Sequence, residues 1–311
     1  MLSGAPDGRP DWVTALADGD DEGYFGPDSA VWVVHGGIPV LIAGMRALLL
    51  QTLHPGAMAG VHDWSRYRED PLGRLSGTVR WVLTTSFGDR SQAEQACAFV
   101  GKLHTRVHGS YDRSGERHPY SAADPALLSW VHVAFADSFL RCHQTWGAKI
   151  PGGADAYVSE WAVVGGLMGV QNPPTSAAEL DAQLAAFDAD LQTGERVRDA
   201  VRFIRKPPVP KAAYGASRGD PGGDDSGGGD PGKGKKTSGS RLTNLGYSIV
   251  FAGAMATIPA KYRRMLGVRR AWWPAITITG WLLTILARLL GRPSTSEIYA
   301  RRRIDRLRAS V

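Results

Sequence analysis

Residues 124–146, Asp-Pro-Ala-Leu-Leu-Ser-Trp-Val-His-Val-Ala-Phe-Ala-Asp-Ser-Phe-Leu-Arg-Cys-His-Gln-Thr-Trp, decide the fold. Asp124 is placed to cap a helix, because its carboxylate can accept a backbone N–H that the first turn leaves without a partner. Pro125 stands at the first helical position, where its missing N–H costs nothing. The spacing predicts one helix from there to about Trp146, with Trp130 and Phe139 as core residues. Outward from it the same punctuation recurs. Ile38 to Thr52 carries one charge, Arg46, and reads as a buried helix closed at the His54-Pro55 step. Leu75 to Phe87 reads as a helix ended by Gly88, and Ser91 to His108 as another ended by Gly109. Tyr111 to Tyr120 reads as a turn-rich connector. Downstream come Asp155 to Met168, a helix opened by the Ser176/Glu179 capping box and reaching about Leu191, and Glu195 to Ile204, stopped by Lys206-Pro207-Pro208. No run alternates with period two, so the expected class is all-α, a multi-helix single domain.

The 311 residues are 43% hydrophobic and 21% charged, too apolar for a disordered chain. Two cysteines, Cys97 and Cys142, exclude a disulfide scaffold and a Cys-rich zinc module. Residues 1–28 are rich in Asp, Gly and Pro and read as a flexible lead-in to a helical core over 29–205. The first dozen residues have no apolar run of the signal-peptide kind, which makes the cytoplasm the expected compartment. Residues 215–239 hold ten glycines and no Val, Ile, Leu or aromatic residue. Such a stretch cannot bury enough apolar area to offset its ordering entropy, so 206–240 is expected to be a disordered insertion. Residues 241–311 are expected to return to helix and complete the same domain.

Charge is divided along the chain. Residues 241–311 carry 13 Lys and Arg against 2 Asp and Glu, whereas residues 1–240 carry 23 against 28. The basic run 301–308, Arg-Arg-Arg-Ile-Asp-Arg-Leu-Arg, has no interleaved aromatics, so nucleic acid is not an expected partner. Residues 271–287 are uncharged but shorter than the roughly 20 residues a spanning helix needs. Two readings stay open for this segment. In one, Trp272, Trp273 and Trp281 pack into the core. In the other, the arginines on either side hold the apolar run on an anionic membrane surface, each contributing about 1 kcal/mol.

The chain has no phosphate-binding Gly-rich loop after a strand and no nucleophile elbow. Its eight histidines are the main pool of candidate ligands. His104 and His108 would share a face if one helix carried both, but no Glu stands beside the first as a zincin requires.

A longer pattern begins at 53–61, Leu-His-Pro-Gly-Ala-Met-Ala-Gly-Val. It continues through Tyr67-Arg68, Asp70-Pro71, Gly73-Arg74-Leu75, Thr78, Thr84-Thr85 and Phe87-Gly88-Asp89. It closes with His104-Thr-Arg-Val-His108-Gly109 and with Tyr120-Ser-Ala-Ala-Asp124-Pro125 leading to Trp130-Val131-His132. This resembles the family of the MpaB oxygenases and rubber oxygenases (latex clearing proteins). The resemblance implies a globin-like helical core that binds haem b and an oxygenase acting with O2 on an apolar or partly apolar small molecule. It also implies His108 as the proximal iron ligand, with Arg74 and Thr78 on the distal side. An arginine there offers fixed N–H donors, and a threonine one hydroxyl. Where rubber oxygenases carry a lysine on the distal segment this chain has Gly77, which cannot ligate iron. The reading from another class is a non-catalytic helical protein that binds lipid through its basic C-terminal segment.

Overall fold

The computed structural model describes residues 10–64, 71–113, 115–205, 238–268, 273–290 and 294–310. In chain order these form α1 (Asp11–Thr14), α2 (Ala30–Gly36), α3 (Val40–Gln51), α4 (Pro55–Trp64), α5 (Pro71–Phe87) and α6 (Arg90–His104). A hairpin follows, β1 (His108–Arg113) and β2 (Glu116–Ser121). Then come α7 (Pro125–Trp146), α8 (Gly153–Leu167), α9 (Ala177–Ala186), α10 (Glu195–Arg205), α11 (Ser238–Thr257), α12 (Ala260–Met265), α13 (Trp273–Leu290) and α14 (Thr295–Ala309). The fold is mainly α, and the hairpin is the sole sheet among the described residues.

Helix α7 forms as its sequence dictates: the Asp124 side chain accepts from the backbone N–H of Ala126 at 2.8 Å, and Pro125 opens the helix. Its length and continuous apolar surface make it the axis of the core. α3 packs along it, with α2, α8 and α9 also against it. One large apolar cluster runs through these helices and takes in Leu49, Leu50, Trp130, Phe139, Trp161 and, from α11, Phe251 and Met255. The C-terminal part is thus built onto the same core, with α11 against α3 and α13 against α11.

Several local expectations change. The helix expected over Ser91–His108 ends at His104, and His108 begins a strand. From His108 the chain pairs with Glu116–Ser121 instead of continuing a helix. Arg113 pairs with Glu116 across residues 114 and 115, and Gly115 supplies the positive φ (+87°) that such a tight hairpin turn needs. α3 ends at Gln51, before the His54-Pro55 step as expected, while Pro55 opens a further helix, α4, and Ser29 caps the separate helix α2 through the N–H of Trp32. Residues 10–28, expected as a flexible lead-in, are packed. Leu16 is buried with Trp32, Phe87, Ala300 and Ile304 in a second apolar cluster. Arg303 holds this segment down, donating to the carbonyls of Leu16 (2.9 Å), Glu22 (3.4 Å) and Phe87 (3.0 Å). Of the expected insertion, residues 206–237 lie outside the described residues.

Candidate functional site

α5 carries Arg74 and Thr78 one turn apart, so the helix itself places both on one face. The Arg74 side chain lies outside the described residues, and Thr78 is half-buried. Three residues on from Thr78, the Trp81 ring meets Phe135 at 6.2 Å and Trp161 at 6.0 Å, both edge-on. The Thr78 face of α5 therefore continues into an aromatic wall shared with α7 and α8.

His108 sits elsewhere, as the first residue of the hairpin, and it is exposed. The hairpin is docked on the end of α4 by two bonds. The Trp64 indole N–H donates to the His108 carbonyl at 2.9 Å, with the two rings 5.7 Å apart. The buried Tyr120 donates its hydroxyl to Asp63 at 2.9 Å. His62 lies 3.0 Å from the other oxygen of Asp63. Desolvation would raise the Asp63 carboxyl, but the bonds from His62 and Tyr120 outweigh it and hold the group below the usual range. Desolvation and the bond to Asp63 push the Tyr120 phenol up to about 12, so it stays a donor. His104 is half-buried on the last turn of α6, which packs against α5.

Behind the aromatic wall lies His35, buried among Phe139, Tyr157 and Trp161. The Ser86 hydroxyl gives its proton to the Val82 carbonyl (2.7 Å), so it accepts from Nδ1–H of His35 at 2.6 Å. Nε2 of His35 is left to accept from the Tyr157 hydroxyl at 3.1 Å. Both ring nitrogens are thereby used, and burial, with His143 nearby, drives the pKa down to about 3. His35 is a neutral structural residue. His132 on α7 is also buried and neutral, its pKa lowered to about 4 by desolvation, and its Nε2 has no hydrogen-bond partner. Burial pushes both thiols, Cys97 and Cys142, up to about 11, which removes them as nucleophiles.

A cleft of about 500 Å³ opens on another side of the core, lined by Arg46, Asp137, Arg141, Asp181, Lys261 and Tyr262 among others. At its base Arg46 and Asp137 form a fully buried ion pair at 2.6 Å, and Arg141 reaches the other oxygen of Asp137 at 3.1 Å and pairs outward with Asp181. Arg46 was visible in the sequence as the one charge in an apolar run. Such a residue demands a buried acid, and α7 supplies one in Asp137.

A haem iron needs a neutral imidazole facing enclosed apolar space. His108, the expected ligand, stands exposed at the start of β1. α5 carries Arg74 and Thr78, and β1 carries His108. Among the described residues no three His, Cys, Asp or Glu side chains converge to hold a bare metal ion.

The chain matches the family described as ER-bound oxygenase mpaB/B'/Rubber oxygenase, catalytic domain, over residues 32–292. No curated protein and no solved structure matches it. The match begins in α2 and runs into the chain beyond α13, through α5, the hairpin and the core built on α7. A match over so much of the chain makes this protein a member of the MpaB and rubber oxygenase catalytic-domain family.

Proposed function

We propose that this protein is a haem b-dependent oxygenase that uses O2 to oxidise an apolar or partly apolar small molecule. The observation that carries the reading is the family match over residues 32–292. The globin-like arrangement and the haem are part of this proposal, and a bound haem would supply the activation of O2. Arg74 and Thr78 are the proposed polar groups on the distal side. A guanidinium offers donors and positive charge at a fixed angle, and the Thr78 hydroxyl can donate one hydrogen bond beside the aromatic wall.

His108, carried over as the proximal ligand, stands exposed, so its assignment is weighed against His104 on the last turn of α6. The deciding experiment is the absorption spectrum of protein purified from haem-supplied cells, together with His108→Ala and His104→Ala. A Soret band in the wild type, lost in one variant whose helical circular dichroism is unchanged, supports haem and names its ligand. Absence of a Soret band from well-folded wild type overturns the haem. Oxygen uptake with apolar substrates then tests the reaction.

A further inference from the structure

The cleft floored by Arg46 and Asp137 takes no part in the proposed chemistry, because none of its lining residues lies on α5 or on the hairpin. Its charges do not balance. Arg46 and Arg141 share one buried carboxylate, Asp137. Arg141 is also paired with Asp181, but that acid is 57% exposed, so water and salt screen it. Lys261 and Asp188, both about half exposed, pair with each other at the rim and cancel. Among the described residues the floor therefore holds two guanidinium groups against one carboxylate. Arg46 also brings an unspent donor. Its Nη1 serves Asp137 and Ser138, while its buried Nε has no hydrogen-bond partner among the described residues. A buried N–H left without an acceptor is costly, and a ligand oxygen would remove that cost. Asp137 makes no such demand, since each of its oxygens already faces a guanidinium.

The sides of the cleft are different in kind. Leu184 of α9, Ala256 of α11 and Ile276 of α13 give it apolar walls above the charged floor. Its volume of about 500 Å³ is that of a small-molecule site and far more than a bridging water fills. A surplus positive charge, an unspent N–H and apolar walls together describe an amphiphilic monoanion. Inorganic phosphate would bring more charge than the floor lacks and would leave the walls uncovered. An alcohol would cover the walls and leave the charge uncompensated. A carboxylate carries one negative charge, and its plane matches a guanidinium. We propose that the cleft binds a small organic carboxylate, its head on the Arg46 and Arg141 floor and its hydrocarbon part against Leu184, Ala256 and Ile276.

Octanoate is the probe, with octanol and inorganic phosphate for comparison. Calorimetric titration of the full chain should show one saturable octanoate site, with octanol and phosphate each weaker by about tenfold or more. Arg46→Met should weaken octanoate by a similar factor. Ala185→Trp fills the cleft from an exposed lining position and should do the same with the fold intact, so the test does not depend on how well Arg46→Met folds. Thr78→Ala, on α5, should bind octanoate as the wild type does. No saturable octanoate binding, equal binding of octanol or of phosphate, or unchanged octanoate binding in Ala185→Trp overturns the proposal. So does a loss in Thr78→Ala with none in Arg46→Met, which would place the probe at the proposed oxygenase site instead.

Discussion

Nη1 of Arg46 lies 2.6 Å from Oδ2 of Asp137, and neither side chain reaches solvent. The pair is asymmetric. Asp137 has a second cation in Arg141, whereas among the described residues Arg46 has besides Asp137 the neutral Ser138 hydroxyl, 2.9 Å from the same Nη1.

That asymmetry fixes an order of effects. Asp137→Leu strands a buried guanidinium and should cost about 3–5 kcal/mol. Arg46→Met leaves Asp137 still paired with Arg141 and should cost less. The double variant should be less destabilised than the two singles added together, because it removes both charges. Urea unfolding of the four proteins of this cycle measures the order, and a costlier Arg46→Met would refute it.

Acid should unfold the protein by way of its buried histidines. The folded-state pKa values of His35 and His132 are pushed down to about 3 and about 4, below the ordinary 6.5. As pH falls below 6.5 the unfolded chain takes up protons that the folded chain refuses, so stability is full above 6.5 and drops through the window toward 4. The slope is roughly 1.4 kcal/mol per pH unit for each such group. His132→Gln should remove about one proton's worth of that slope, read from urea midpoints between pH 7 and 4.5.

The two ties between hairpin and α4 differ in burial, and so in worth. Trp64 is half exposed, so Trp64→Phe should cost about 1 kcal/mol or less, because water replaces its N–H at the His108 carbonyl. Tyr120 is buried, and Tyr120→Phe leaves Asp63 short of a donor at a cost of about 1–2 kcal/mol. Amide exchange over residues 108–121 should rise more in the second variant.

Arg303→Lys should loosen residues 10–28. One ammonium cannot reproduce the fork that serves three carbonyls at 2.9 to 3.4 Å. The expected loss is about 2 kcal/mol, with earlier proteolytic cutting before Ala30. Unchanged cutting would mean that the Leu16 cluster alone holds the segment.

The helices were legible where local chemistry decides them. Asp124 and Pro125 mark the start of α7, and the Ser176 side chain caps α9 through the N–H of Glu179, although the Glu179 carboxylate takes the N–H of Thr175 and α9 ends at Ala186, short of the expected Leu191. The hairpin was not legible, because its strands are short, mostly exposed and polar, which leaves no period-two pattern to read. The packing of residues 10–28 was hidden for another reason: it depends on Arg303, a long-range partner that local composition cannot announce. At the candidate site, the helical spacing of Arg74 and Thr78 was readable from the sequence. That His108 opens a strand rather than closing a helix was not, because it depends on pairing with Glu116–Ser121.

The Arg303 clamp also sets a timetable for the chain. Its bond to Leu16 joins residues 287 apart in sequence. During synthesis the carbonyls of Leu16 and Phe87 wait without this partner until residue 303 has been made. Helices α2 to α9 can condense on local and mid-range contacts, but the edge formed by the N-terminal segment closes only with α14. That closure carries the largest loop-entropy cost in the fold and should be its last event. A ribosome stalled before residue 303 would hold a chain whose core is formed and whose edge is open.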